Sequence, residues 1–199
     1  MSKTVGNIVD PFGLVERYGA DAVRFYFLRE ISPFKDGDFT EEKFIEAHNA
    51  GLANGLGNYV SRVAKMIEQY FGGVLSRPSA EELSEVKTRN VEVFWVEYTK
   101  FMESYQLKQA MDVVWRLISE LDSCVQKHEP FKTIKTDPER TKAVLWNLAS
   151  GALNIGWMLK PFMPDTADKI LDIFGADSDS KKEWKEIKVK LEKPLFARK

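Results

Sequence analysis

Beyond residue 40 the apolar positions repeat with the period of an α-helix, and the strict alternation of a strand is nearly absent. Thr40-Glu41-Glu42-Lys43 opens the longest such run, since Thr40 can cap free N–H groups and the glutamates suit the positive end of a helix dipole. Leu52, Leu56, Tyr59, Val63, Met66, Ile67 and Tyr70 form its apolar stripe, and Gly72-Gly73 ends it after Phe71. A second helix is expected from about Lys87 to Tyr105, with Phe94, Tyr98, Phe101 and Tyr105 on one face. A third, from Leu107 to about Lys127, uses Ala110, Met111, Val114, Ile118, Leu121 and Val125 and is closed by Pro130. Asp137-Pro138 starts a fourth that runs to about Leu159, a capping carboxylate followed by proline in the first turn. Pro161 and Pro164 punctuate it, and Asp165 opens a short helix ending near Gly175.

Ahead of residue 40, Asp10-Pro11 is a turn or helix-entry signal. Phe12–Tyr18 reads as a short helix closed by Gly19, Asp21–Arg29 as another, and Pro33 to Gly37 as a break. Ser76–Leu83 reads as a polar linker and Asp177–Lys199 as a charged, weakly periodic tail. The fold class that follows is all-α: an antiparallel helical bundle over residues 40–199 behind a small region of residues 1–39.

The 199 residues, 44% of them hydrophobic, suit one or two compact units. No apolar run approaches bilayer length, and the N-terminus lacks the regions of a secretory signal. Cys124 is the lone cysteine, which excludes an internal disulfide and a thiolate zinc site and points to a reducing, cytoplasmic setting. The net charge of −1 argues against a nonspecific nucleic-acid binder and against DNA as a partner. It leaves room for RNA loops, whose unpaired bases are read by stacking and edge hydrogen bonds.

Few residues suggest chemistry by pattern alone. His48 and His128 have no ligand-spaced companions and read as surface or helix-end histidines. Asp36, Asp38, Glu41 and Glu42 lack the spacing of a calcium loop, so no metal site is expected. Trp115, Trp146 and Trp157 fall on helical stripes and read as core. Asp21 and Arg24 can pair three residues apart on one helix face. Asn58 and Arg62, four apart, also share a face; spacing alone makes that a solvated surface.

Several motifs give the chain a family context. Met1–Pro11, M-S-K-T-V-G-N-I-V-D-P, resembles the mobile K-M-S-K-S loop of class I aminoacyl-tRNA synthetases, without its first lysine and with Thr4 for its last serine. It is followed by Y-G-A-D-A-V-R-F-Y-F-L-R-E at Tyr18–Glu30, D-G-D-F-T at Asp36–Thr40 and N-A-G-L-A-N-G-L-G-N-Y-V-S-R at Asn49–Arg62. The last run is more similar to methionyl-tRNA synthetases than to their valine, leucine or isoleucine relatives. K-P-L-F-A-R at Lys193–Arg198 resembles the segment that returns to the body of those enzymes.

The resemblance implies a fragment: the tRNA-reading half of a ligase whose catalytic half lies upstream. In the full-length enzyme Lys3 would be the loop lysine that meets charge developing on the pyrophosphate of ATP (bound with Mg), with Ser2 and Thr4 supporting the loop. Residues 1–39 would join the catalytic region to the bundle and contact the inside of the tRNA bend. Asn58 and Arg62 match the pair that reads the CAU anticodon, and Phe131 in H-E-P-F-K stands where the family has a tryptophan that stacks on an anticodon base. Asp122 and Cys124 depart from the asparagine and tyrosine common there. The expected partners are a methionine-specific tRNA and the upstream domain, and the chain alone is expected not to aminoacylate. Two other readings stay open: the same region of a valyl, leucyl or isoleucyl enzyme, and a free-standing helical module with or without an RNA partner.

Overall fold

A computed structural model of the chain describes residues 10–31, 39–86, 90–175 and 184–199. Ser2, Lys3, Thr4, the break at Pro33–Gly37 and the proposed helix start at Lys87 lie outside these residues. The first helix, α1 (Pro11–Tyr18), is capped by the Asp10 carboxylate, which accepts from the N–H groups of Phe12 and Gly13 at 3.0 and 3.2 Å. Gly19 turns the chain at a φ of 86°, a value glycine adopts without strain, and α2 (Ala20–Phe25) follows, widening into a π-helical turn at Tyr26–Glu30.

The helix expected from residue 40 is continuous but not uniform. It consists of α3 (Glu41–Ala47), a π-helical segment (His48–Gly57) and α4 (Asn58–Phe71). The Thr40 hydroxyl accepts from the Lys43 N–H at 3.2 Å, and Gly72, left-handed at φ 62°, closes the run. The π segment has a tertiary cause. Phe25 packs so closely on Gly51 that a Cβ there would sit 2.5 Å from its ring, and the Trp115 indole N–H donates to the Gly51 carbonyl at 3.2 Å.

The remainder is β1 (Val74–Ser76), α5 (Ala80–Glu85), α6 (Val91–Glu103), α7 (Leu107–His128), α8 (Pro130–Thr133), α9 (Pro138–Leu159), α10 (Pro164–Ile173) and β2 (Glu186–Lys188). The stretch read as a polar linker thus holds a helix, α5, started by a capping box in which Ser79 and Glu82 each bond the other's backbone N–H. The stretch read as a tail holds β2, which pairs antiparallel with β1 in the register Leu75↔Ile187. Pro130 does more than close α7: Glu129, at φ 43°, turns the chain and Pro130 begins α8. Asp137 caps α9 by accepting from the Arg140 N–H at 3.0 Å.

The core lies between α7 and α9, with α4, α6 and α10 packed around them. Leu121 sits against Gly151, where a Cβ would lie 2.5 Å from the leucine methyl. Tyr59, fully buried on α4, donates its hydroxyl to the Leu148 carbonyl of α9 at 2.7 Å, and Tyr98 of α6 does the same to Met158 at 2.8 Å. The region before residue 40 shares this core through Phe25 and Tyr26. The Asp21–Arg24 pair forms at 3.4 Å, but Asp21 is buried and its other oxygen accepts from the Thr166 N–H at 2.7 Å. Its carboxylate thereby tethers α2 to the N-terminal turn of α10, a structural use.

The two histidines correct the sequence reading. His128 does end α7, but both rings are buried, at 9% and 3% exposure for His128 and His48. His48 is covered by the C-terminal residues: Phe196 meets its ring edge-on, and the Lys199 backbone exchanges two hydrogen bonds with the Asn49 amide at 2.8 and 2.9 Å.

Two stability predictions follow from these contacts. Tyr59→Phe should lower stability by about 0.5–1.5 kcal/mol, read as a lower urea midpoint at unchanged m-value. Burial lowers the pKa of both His48 and His128, so between their folded values and the unfolded value of about 6.5 the unfolded chain binds more protons. Stability is therefore full above about pH 6.5 and falls as pH drops through the folded values. Urea midpoints at pH 7.5 and 5.5 should show this drop, and it should shrink in His48→Gln.

Candidate functional site: one face of α4 and the end of α7

Burial dictates which side of α4 is available. Tyr59, Val60, Val63, Ala64 and Ile67 are fully buried against the bundle, which leaves Asn58 exposed and Arg62 half-buried one turn further along the same edge. Arg62 reaches across to α7 and pairs with Asp122, through a guanidinium Nη2 to carboxylate Oδ1 bond. The pair stands at the surface, with side-chain exposures of 27% and 41%. Asp122 therefore holds the arginine in place. It also offsets its charge. The Arg62 Nε has no hydrogen-bond partner among the described residues.

Phe131 lies on α8, just past the turn at Glu129, with 43% of its surface exposed. The Lys132 ammonium stands 5.9 Å from its ring centre. Arg62 is thus joined to α7 through Asp122, with Asn58 one turn before it on the same edge of α4, and Phe131 follows α7 in the chain; no direct contact links Phe131 to either among the described residues. Beneath the face, burial pushes the Tyr59 hydroxyl well above its ordinary pKa; the Asp122 carboxylate adds to the effect and the Arg62 guanidinium opposes it. Tyr59 is thus a neutral donor at any physiological pH and fixes α4 on α9 rather than taking part in chemistry. Cys124 is buried and its thiol pKa is raised by that burial, so it is no nucleophile.

Sequence reasoning missed the partner of Arg62, which comes from another helix that no local spacing reveals. Among the described residues no three His, Cys, Asp or Glu side chains come together as metal ligands, and no helix is long and apolar enough to cross a membrane. The β structure among them is the two-stranded β1–β2 sheet; a parallel nucleotide-binding sheet is not present in these residues.

Comparison with known families bears directly on this arrangement. Residues 76–195 match the anticodon-binding domain of methionyl-tRNA ligase, and residues 1–64 match the class I (M) tRNA synthetases. The chain belongs to the methionyl-tRNA ligase family. It is 38% identical over 182 residues to a methionine–tRNA ligase of Caldanaerobacter subterraneus, covering 90% of this chain and 28% of that protein. It is 35% identical over 212 residues to one of Bacillus subtilis, covering 100% of this chain and 32% of the relative. The chain thus spans about a third of the length of such relatives. The fold is that of a Mycobacterium tuberculosis methionyl-tRNA synthetase bound by methionyl-adenylate, with a TM-score of 0.87 at 23% identity over 99% of this chain and 41% of that one. Nothing favours a valyl, leucyl or isoleucyl relative.

The Arg62–Asp122 pair should matter little to the fold. Arg62→Ala and Asp122→Ala should each change stability by less than about 1 kcal/mol, and the double variant should cost less than the sum of the two, measured by urea unfolding.

Proposed function

We propose that this chain is the tRNA-reading part of a methionine–tRNA ligase and that its exposed α4 edge recognises the CAU anticodon. The observation that carries this is the joining of Arg62, one turn beyond Asn58 on the same edge of α4, through Asp122 to α7 of a domain of the anticodon-binding family. Asn58 offers a donor and an acceptor to a base edge. Arg62, already oriented by Asp122, loses little side-chain freedom on binding and presents a planar group that can stack or donate. Phe131 supplies a stacking face worth about 1–3 kcal/mol for one unpaired base. Because the chain is nearly neutral overall, such binding is modest in strength and salt dependent.

In this reading residues 1–39 link the bundle to an upstream catalytic domain and touch the tRNA bend, and residues 40–199 form the anticodon-binding domain. Lys3, with Ser2 and Thr4, acts on ATP and its Mg only when that upstream domain completes the nucleotide site. The complete enzyme works in the cytoplasm, where it attaches methionine to its tRNA.

Binding of the chain to RNA hairpins with CAU, GAU and CAC loops tests the reading. CAU should bind best, and Asn58→Ala or Arg62→Ala should each weaken CAU binding about tenfold, the worth of one net hydrogen bond. Equal binding of all three loops by the unaltered chain would contradict the assignment. The chain should also fail to charge tRNA with methionine and ATP; measurable charging would overturn the division of labour.

A further inference from the structure

Residues 195–199 belong to no helix or strand, yet they cover a titratable group. The Phe196 ring stands edge-on to the His48 imidazole, with ring centres 5.8 Å apart, and lies over Gly57, where a Cβ would sit 3.7 Å from it. Polar contacts hold the residues that follow. The Arg198 Nε donates to the Asn54 side-chain oxygen at 2.9 Å, the Lys199 N–H donates to the Asn49 side-chain oxygen at 2.9 Å, and the Asn49 amide donates to the Lys199 carbonyl at 2.8 Å. The Lys199 ammonium continues onto α1, where it donates to the Arg17 carbonyl at 3.3 Å and stands 5.7 Å from the centre of the Tyr18 ring. These residues form a strap that ties α1 to the π-helical segment leading into Asn58.

Beneath the strap, a positive charge on His48 would meet no free carboxylate among these neighbours. The ring is 3% exposed, and its Nδ1 has no hydrogen-bond partner among the described residues. From α1 it faces Tyr18, with ring centres 6.5 Å apart. Glu41, at the start of α3, is already engaged by the Tyr18 hydroxyl at 2.5 Å and by the Arg17 guanidinium. From the strap His48 faces Phe196 and the charge of Lys199. Burial depresses its pKa; the neutral Asn49 side chain opposes this and Lys199 reinforces it. The cover can yield at the strap. Both α1 and α3 are anchored by core side chains, Leu14 and Phe44, whereas the hydrogen bonds of the strap all lie at the surface, where water can replace each of them.

We propose that residues 195–199 are a proton-operated strap, closed over the neutral His48 ring and released when that ring takes up a proton. The device is independent of what the surface binds. With the strap open the ring meets water and titrates near its ordinary value of about 6.5. With the strap closed the value is lower. Between the two values the open form binds more protons, so the ratio of open to closed rises up to about tenfold per pH unit as pH falls from about 6.5. Above that pH the strap stays closed. Release bares Asn54 and Gly57, just ahead of Asn58, and parts α1 from Lys199.

An NMR titration of the intact chain from pH 7.5 to 5.5 tests this. The signals of the Lys199 amide, the Asn49 side-chain amide and the Phe196 ring should move together toward their positions in the denatured chain, while buried Val63 and Ile67 keep theirs. His48→Gln, neutral at every pH, should hold the strap closed throughout, and His128→Gln should leave the response as it was. Linkage also requires the reverse effect: Phe196→Ala should loosen the strap at pH 7.5 and raise the His48 titration toward about 6.5. Strap signals that stay fixed down to pH 5.5 would overturn the proposal. So would a response that persists in His48→Gln, or a His48 titration that Phe196→Ala leaves unchanged. Core signals that shift along with those of the strap would mark general unfolding and equally refute a separate device.

Discussion

The burial of one side of α4 governs everything the surface can do. Tyr59, Val60, Val63 and Ile67 are locked into the bundle, and the Tyr59 hydroxyl is tied to the backbone of α9. A helix held this way cannot rotate, so its opposite edge is fixed too. Asn58 and Arg62 occupy that edge, and the bond from Arg62 to Asp122 is possible only because α7 packs at a set distance from α4. The proposed recognition face is therefore a by-product of core packing, fixed in orientation by the helix that carries it.

Charge is distributed with the same economy. The Arg62–Asp122 pair is close to neutral, so this edge of α4 carries little net charge. Asp122, a carboxylate that would repel a phosphate if it stood alone, is harmless as the partner of Arg62.

Much of the fold could be read from the chain because its helices are framed by local signals. The Thr40 cap, the Gly72 stop and the Asp137-Pro138 start all act within one turn, and each appears where the residues place it. What escaped reading depends on distant partners. The π-helical His48–Gly57 looks like ordinary helix in sequence; it arises where Phe25 presses on Gly51 and Trp115 bonds its carbonyl. Strands β1 and β2 are three residues each and pair from opposite ends of the domain, too short for alternation to register. His48 looked exposed because Phe196, which covers it, lies near the far end of the chain. Asn58, Arg62 and Phe131 stand out as candidates only through their family context, since their spacing alone describes a solvated surface.

The central claim, a preformed anticodon face on α4 and α8, is tested most directly by titrating the isotope-labelled chain with a CAU hairpin and following NMR signals residue by residue. The side-chain signals of Asn58 and Arg62 and the ring of Phe131 should shift together, while buried Val63, Ile67 and Leu153 stay in place. Shifts centred elsewhere, such as the exposed turn at Tyr105, or general movement of the core signals, would contradict it.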